Sequence, residues 1–362
     1  MRAGMVIRTV HAWSGAALSL FLAMMGLSGI FLVFRDDYLR AVFPEARQVV
    51  PADPATLAVL AEKAESLYGQ GTIRTFRFPT PDFGLFRVRL FSGESAYLDG
   101  NGSVVAFWSG HNRFDEWVFD LHHHLLTGAS GETVIGIAGL CLFCLTLTGL
   151  YAVWPARRSL GMSVLPKSTK RRDLLSSHRN LGIWVALPML VMSLTGAGMV
   201  FSTQTKALLS LGSGPPSPVT RTTASTTTMA DRIDWQTLLA NAQAEFPDAA
   251  LRGVTLLPNG KTSARVRLRQ PAEWQPNGRT YIDVDTASSA ILAVDDALAA
   301  PPSIQAFNAF YPVHSARLGH GFAGRLYDFV IAATGLGLFL LGMVGTYAFL
   351  TKPRRKRRRV RA

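Results

Sequence analysis

Seven of the eight histidines crowd the ends of long apolar runs. His11 and His178 each open one such run, and His122, His123 and His124 stand together in "FDLHHHLLTGASG" just before another. His314 and His320 precede the last, in "YPVHSARLGHGFAGR". Ionisable groups at the edge of a bilayer are expensive to keep, so a repeated pattern of them points to function. Imidazole is a neutral nitrogen donor suited to haem iron, and two histidines on facing helices are a natural axial pair. Pairing His11 with His178 would hold one haem. Pairing one member of the triplet with His314 or His320 would hold a second. Consecutive helical positions point about 100° apart, so the three histidines of the triplet cannot all serve one cofactor face. A zinc or copper site is the rival at the triplet. For His11 and His178 no carboxylate or cysteine accompanies the pair, and two histidines alone hold zinc poorly.

The glycine spacing supports a flat ligand. His11 and Gly15 are one helical turn apart, and Gly29 follows His11 by about five turns, so all three share a face. His178, Gly182 and Gly196 repeat the arrangement. Such glycines leave room for a macrocycle, or simply let helices approach closely. Trp13, Trp117 and Trp184 lie near the histidines in sequence, where they can line a haem edge or anchor at the interface.

Four runs of about 20 mostly apolar residues must position these groups: Ala12–Phe34, Thr133–Trp154, Leu181–Phe201 and Phe329–Leu350. The first is too long in its apolar core, and lacks a nearby small-residue cleavage site, for a cleaved signal; it reads as an uncleaved anchor. The chain is written twice. "HAWSGAALSLFLAMMGLSGIFLVF" aligns without gaps on "HRNLGIWVALPMLVMSLTGAGMVF", and "GLCLFCLTLTGLYA" on "GLGLFLLGMVGTYA". Between the spans of each copy comes an amphipathic helix ("ATLAVLAEKAESLYG", "DWQTLLANAQAEF") and then alternating strands. The expected fold is therefore a four-helix membrane protein of two span–domain–span units, each carrying a small extracytoplasmic α+β domain. The boundaries are 1–34 for the N-terminus and first span, 35–131 for the first domain, and 132–154 for the second span. A basic loop covers 155–177 and the third span 178–201. A linker and the second domain fill 202–326, the fourth span 327–350 and a basic tail 351–362. "GSGPPSPVTRTTASTTT" reads as a flexible linker.

The net charge of +13 is unevenly placed. Segments 1–9, 155–177 and 351–362 hold 16 basic residues against the single acid Asp173, whereas the two long loops are nearly neutral. By the positive-inside rule both termini and the 155–177 loop are cytoplasmic, and this accounts for the basic excess without nucleic acid. The only cysteines, Cys141 and Cys144, lie in mid-span with no second pair, so they read as packing residues.

The "H-x3-G" and "L-[ST]-G" spans, "DLHHHLLTGASG" and "YPVHSARLGHGFAGR" resemble the PepSY-associated transmembrane family, which includes inner-membrane ferric-siderophore reductases. The likeness covers nearly the whole chain. It implies PepSY domains outside the bacterial inner membrane and two b-type haems with bis-histidine ligation. It also implies an iron(III) chelate or siderophore as the electron acceptor. The family's L-H-x-x-L motif falls on Leu121, His122 and Leu125, and its isolated histidine before the last span on His314. The resemblance thus implies His11, His178, His122 and His314 as ligands. The gapless internal alignment instead pairs His124 with His320, so these remain reserve candidates together with His123. No strand–G-x-G-x-x-G–helix unit is present, so the electron donor is external: quinol or a separate reductase. The alternatives are a non-redox accessory whose PepSY domains bind peptide or protein partners, and a metal-uptake permease.

Overall fold

The computed structural model describes residues 2–211, 220–221, 232–256, 262–319 and 321–351. His320, most of the proposed linker and nearly all of the basic tail lie outside them. In chain order the helices are α1 (Arg2–Val33), α2 (Arg35–Val42), α3 (Pro54–Tyr68), α4 (Phe114–His124), α5 (Ala129–Val153), α6 (Arg171–Val200), α7 (Ser202–Leu209), α8 (Trp235–Glu245), α9 (Pro302–Asn308), α10 (Phe310–His314) and α11 (Gly321–Leu350). The strands are β1 (Ile73–Arg77), β2 (Phe86–Leu90), β3 (Ser95–Leu98), β4 (Val104–Trp108), β5 (Thr220–Arg221), β6 (Ala250–Leu256), β7 (Ser263–Arg269), β8 (Thr280–Asp285) and β9 (Ile291–Asp295). The chain divides into two compact units. One holds Met1–Val33, Val118–Phe201 and Gly319–Ala362, and the other Phe34–Trp117 and Ser202–Leu318. α4 carries the chain from Phe114 to the histidine triplet as one unbroken helix.

In the first unit, Gly4–Val33, Ala129–Ser159, Arg171–Val200 and Gly321–Leu350 are long and apolar enough to cross a membrane. Each of the four main helices packs on two neighbours, α1 on α11 and α5, α6 on α5 and α11, in cyclic order α1–α5–α6–α11. The α1–α11 contact is set by backbone. A Cβ on Gly26 would stand 2.5 Å from the Gly335 carbonyl oxygen, and one on Gly335 2.8 Å from that of Gly26. Small residues are what allow such an approach where lipid offers no hydrophobic drive. The α6–α11 contact is filled by Leu181, Val185 and Met189 against Leu338, Leu340 and Leu341.

In the second unit the two small α+β domains join into one nine-stranded sheet of order β4-β3-β2-β1-β6-β7-β8-β9-β5. The four-stranded meanders β1–β4 and β6–β9 would each leave their first strand as an open edge; β1 and β6 close these two edges by pairing with each other. This join requires Gly253, since a Cβ there would lie 2.4 Å from the Phe76 carbonyl oxygen. The helices α3 and α8 lie side by side over one face and share one core, in which Phe76, Phe86, Leu57, Leu60, Trp235 and Leu238 are fully buried. Their starts are specified alike: Asp53 accepts from the Thr56 amide at 3.0 Å and Asp234 from the Thr237 amide at 3.0 Å. Trp235 Nε1 donates to Glu65 Oε2 at 2.9 Å, linking the two helices.

Candidate functional site

α1 and α6 begin before their apolar runs do, so His11 and His178 lie inside helices rather than at their first residues. Helix hydrogen bonding continues through the polar residues ahead of each span, and this sets the histidines inward by two or more turns. The fold brings the two together. Their ring centroids are 6.3 Å apart, with the planes at 76°. Two imidazoles each bonded at about 2 Å to an ion between them would stand about 6 Å apart.

The surroundings of each ring decide which nitrogen is available. His11 Nδ1 lies 3.2 Å from Thr148 Oγ1, whose own proton goes to the Cys144 carbonyl at 2.8 Å. The threonine oxygen is thus the acceptor and Nδ1 carries the hydrogen. His178 Nδ1 lies 3.2 Å from the Leu341 carbonyl and donates to it. With Nδ1 occupied in this way, both Nε2 atoms keep a lone pair for a metal, as ligating histidines commonly require.

Space beside the rings comes from glycines other than those singled out above. A Cβ on Gly149 would be 3.1 Å from His11 Cε1, and one on Gly345 2.9 Å from His178 Cε1. Gly15 and Gly182 instead meet Leu145 and Leu341 at 3.9 and 3.8 Å, ordinary packing distances. Each histidine reaches across to the second span of its own repeat, so the glycine that matters lies on the facing helix. Gly149 and Gly345 occupy the same place in the repeated "GLCLFCLTLTGLYA" and "GLGLFLLGMVGTYA". That alignment was the available signal for them; Thr148 had none.

His122 is seated the same way on α1. Its Nδ1 is 2.8 Å from Ser28 Oγ, whose own proton goes to the Met24 carbonyl at 2.9 Å, so the serine oxygen is the acceptor, and a Cβ on Gly29 would be 3.3 Å from the ring Cε1. Gly29, expected to serve His11, thus serves His122. The dipeptides Ser28-Gly29 and Thr148-Gly149 do one job: the hydroxyl orients the ring and the glycine makes room for it. His123 donates to the Phe119 carbonyl at 2.8 Å and stacks on that ring, and His124 pairs with Asp120 at 2.8 Å. These two are held by their own helix, whereas His122 is held by another.

Directly after the triplet, Leu125 and Leu126 adopt positive φ of 50° and 61°, costly for leucine and typical of over-determined functional turns. His314 ends α10 in the other unit and is half-buried. Trp13 and Trp184 are exposed, Trp13 edge-on to Phe349, which favours the interfacial role for both. Cys141 and Cys144 are free thiols. Among the described residues no three His, Cys, Asp or Glu side chains form a group that could hold a metal ion, so the triplet does not make a self-contained clip there.

The sequence model of the PepSY-associated TM region matches residues 8–352. Comparison with curated proteins finds no match. Since the matched region takes in all four spans and the sheet unit between them, the chain belongs to the PepSY-associated transmembrane family.

Proposed function

We propose that the protein is a dihaem b-type electron carrier of the bacterial inner membrane, reducing an iron(III) chelate, such as a ferric siderophore, on the outer side. The observation that carries this reading is the His11–His178 pair: two rings 6.3 Å apart, both Nδ1 atoms engaged, with a glycine beside each. A bound haem would supply the one-electron chemistry. His11 and His178 would hold the iron, and Thr148 and the Leu341 carbonyl would keep both rings in the ligating tautomer. His122, oriented by Ser28, is the ligand assigned to a second haem, with His314 as its partner by the family motif. Reduction of iron(III) to iron(II) weakens its hold on hard oxygen ligands, which is the use such a reaction has. Electrons come from quinol or a separate reductase.

The test is the absorption spectrum of the protein purified in detergent after expression with haem supplied, together with a haem count. Two low-spin haems per chain are expected, one lost in His11→Ala and in His178→Ala, the other in His122→Ala and in His314→Ala. A folded, colourless protein would leave the non-redox accessory reading instead. Two intact signals in all four variants would overturn the ligand assignment.

A further inference from the structure

The sheet face opposite α3 and α8 carries a row of residues joined by direct cross-strand pairing. Tyr97 pairs with Arg87, Arg87 with Arg77, Arg77 with Gly253, Gly253 with Arg267, and Arg267 with Tyr281. Directly paired residues point to the same face, and neighbouring strands are about 4.8 Å apart, so three guanidinium groups originate within roughly 15 Å of one another. The row reads alike from both ends: tyrosine, arginine, a centre at the β1–β6 join, arginine, tyrosine. At that centre Arg77 stands beside a residue with no side chain.

Like charges directly opposite on adjacent strands are destabilising, and Arg77 faces Arg87 in that relation. Arg87 has a carboxylate, Glu116 at 3.2 Å, but Glu116 also binds Arg35 at 2.6 Å. Arg267 donates to the Tyr281 hydroxyl at 2.7 Å and to no carboxylate among the described residues. The Arg77 side chain makes no hydrogen bond or ion pair among the described residues, and the residue is exposed. Its electrostatic neighbours are Arg87, Arg267, Tyr97 and Tyr311. Water reaches Arg77, yet desolvation by the surrounding protein, and then the charges of Arg87 and Arg267, depress its pKa. Within the paired strand positions a carboxylate comes first at Asp295, the partner of Tyr281.

A row of three arginines that has one shared carboxylate at Arg87 and none at its exposed centre, Arg77, carries excess positive charge and is complementary to an anion. We infer that Arg77, with Arg87 and Arg267 on either side, forms a binding site for an oxyanionic ligand, and that the ligand is an iron(III) chelate retaining free carboxylates. Planar guanidinium forks match carboxylates in pairs of parallel hydrogen bonds. Tyr97 and Tyr281 bound the row at its two ends. The identity of the ligand's metal rests on the electron-transfer reading above; the anion site does not.

Gallium(III) citrate tests this, because it resembles the iron chelate but undergoes no redox step and so binds whether or not the chain carries haem. Calorimetric titration into the full chain in detergent should show binding that weakens as salt is raised. Arg77→Gln should lose about tenfold in affinity, as expected for removal of a charged hydrogen-bonding partner. Arg77→Lys, which keeps the charge without the fork, should lose less, and Arg267→Gln should weaken binding with Arg77 intact. A cationic gallium(III) trihydroxamate should bind no more tightly to the wild type than to Arg77→Gln. Equal affinity of gallium(III) citrate for the wild type, Arg77→Gln and Arg267→Gln, each folded by its thermal transition, would overturn the proposal. Weakening of the cationic chelate by Arg77→Gln to the same degree would also overturn it.

Discussion

Among the single side chains, the hydroxyl partners of the histidines are the most informative. Thr148 is the acceptor for His11 Nδ1, so Thr148→Val should leave the fold intact while loosening haem at the His11–His178 pair. A haem-retention assay should register roughly a tenfold loss, the lower end expected for an outer-shell partner of a metal-binding histidine. Thr148→Ser, which restores the hydroxyl, should recover it. A second residue tests the sheet unit alone. Burial, partly opposed by the bond from Trp235, holds the Glu65 carboxyl above its ordinary value of 4.5. Its other oxygen, Oε1, is buried without a partner. The folded protein therefore favours the protonated acid. Its contribution to stability is complete below the ordinary value and is lost as the pH rises through the elevated one. Thermal unfolding of Glu65→Gln should match the wild type near about pH 4 and exceed it by about 1 kcal/mol near about pH 7.

Between elements, two backbone approaches hold the architecture together, and both depend on glycine. Gly253 lets β6 lie against β1, so Gly253→Val should cost about 2 kcal/mol by overpacking and should lower the thermal transition of the sheet unit. Gly335 lets α11 lie against Gly26 of α1, so Gly335→Leu should force these two helices apart. Because His11 is on α1 and His178 faces Leu341 of α11, that displacement should also disturb the spectrum of the haem assigned to the pair. The four spans, the two amphipathic helices and the strands that follow them were legible in the residue pattern, whereas the short helices α2, α4, α7, α9 and α10 were not. Pro54–Tyr68 and Trp235–Glu245 coincide to within one residue with the two segments read as amphipathic, and strands follow each of them. Their partners were not legible, since alternation says which side of a strand is buried but not which strand lies beside it.

For the whole molecule, the unequal distribution of basic residues predicts an orientation that labelling can check. In intact spheroplasts, Ser92→Cys, in the turn between β2 and β3, should react with a membrane-impermeant maleimide. Arg8→Cys should react only after lysis. The reverse pattern would invert the topology and place the arginine row on the cytoplasmic side, where an extracellular chelate could not reach it. The duplication visible in the sequence extends to the tertiary level within each unit. In one, α1 with α5 and α6 with α11 each seat a histidine on the facing helix; in the other, β1 and β6 pair as equivalents.

Membrane spans, repeats, local elements and the set of candidate histidines all follow from residue types at short spacing, because apolar length and 3.6- or 2-residue periodicity are local properties. What only the folded chain establishes involves residues far apart. Examples are the meeting of His11 with His178, the seating of His122 on Ser28 and Gly29, and the choice of Gly149 and Gly345 over Gly15 and Gly182. The alignment of Arg87, Arg77 and Arg267 across the β1–β6 join is another. The physical reason is common to all four. A side chain's periodicity gives its direction from its own helix or strand, whereas the group it meets depends on how close two backbones come, and here that distance is set by glycines elsewhere in the chain.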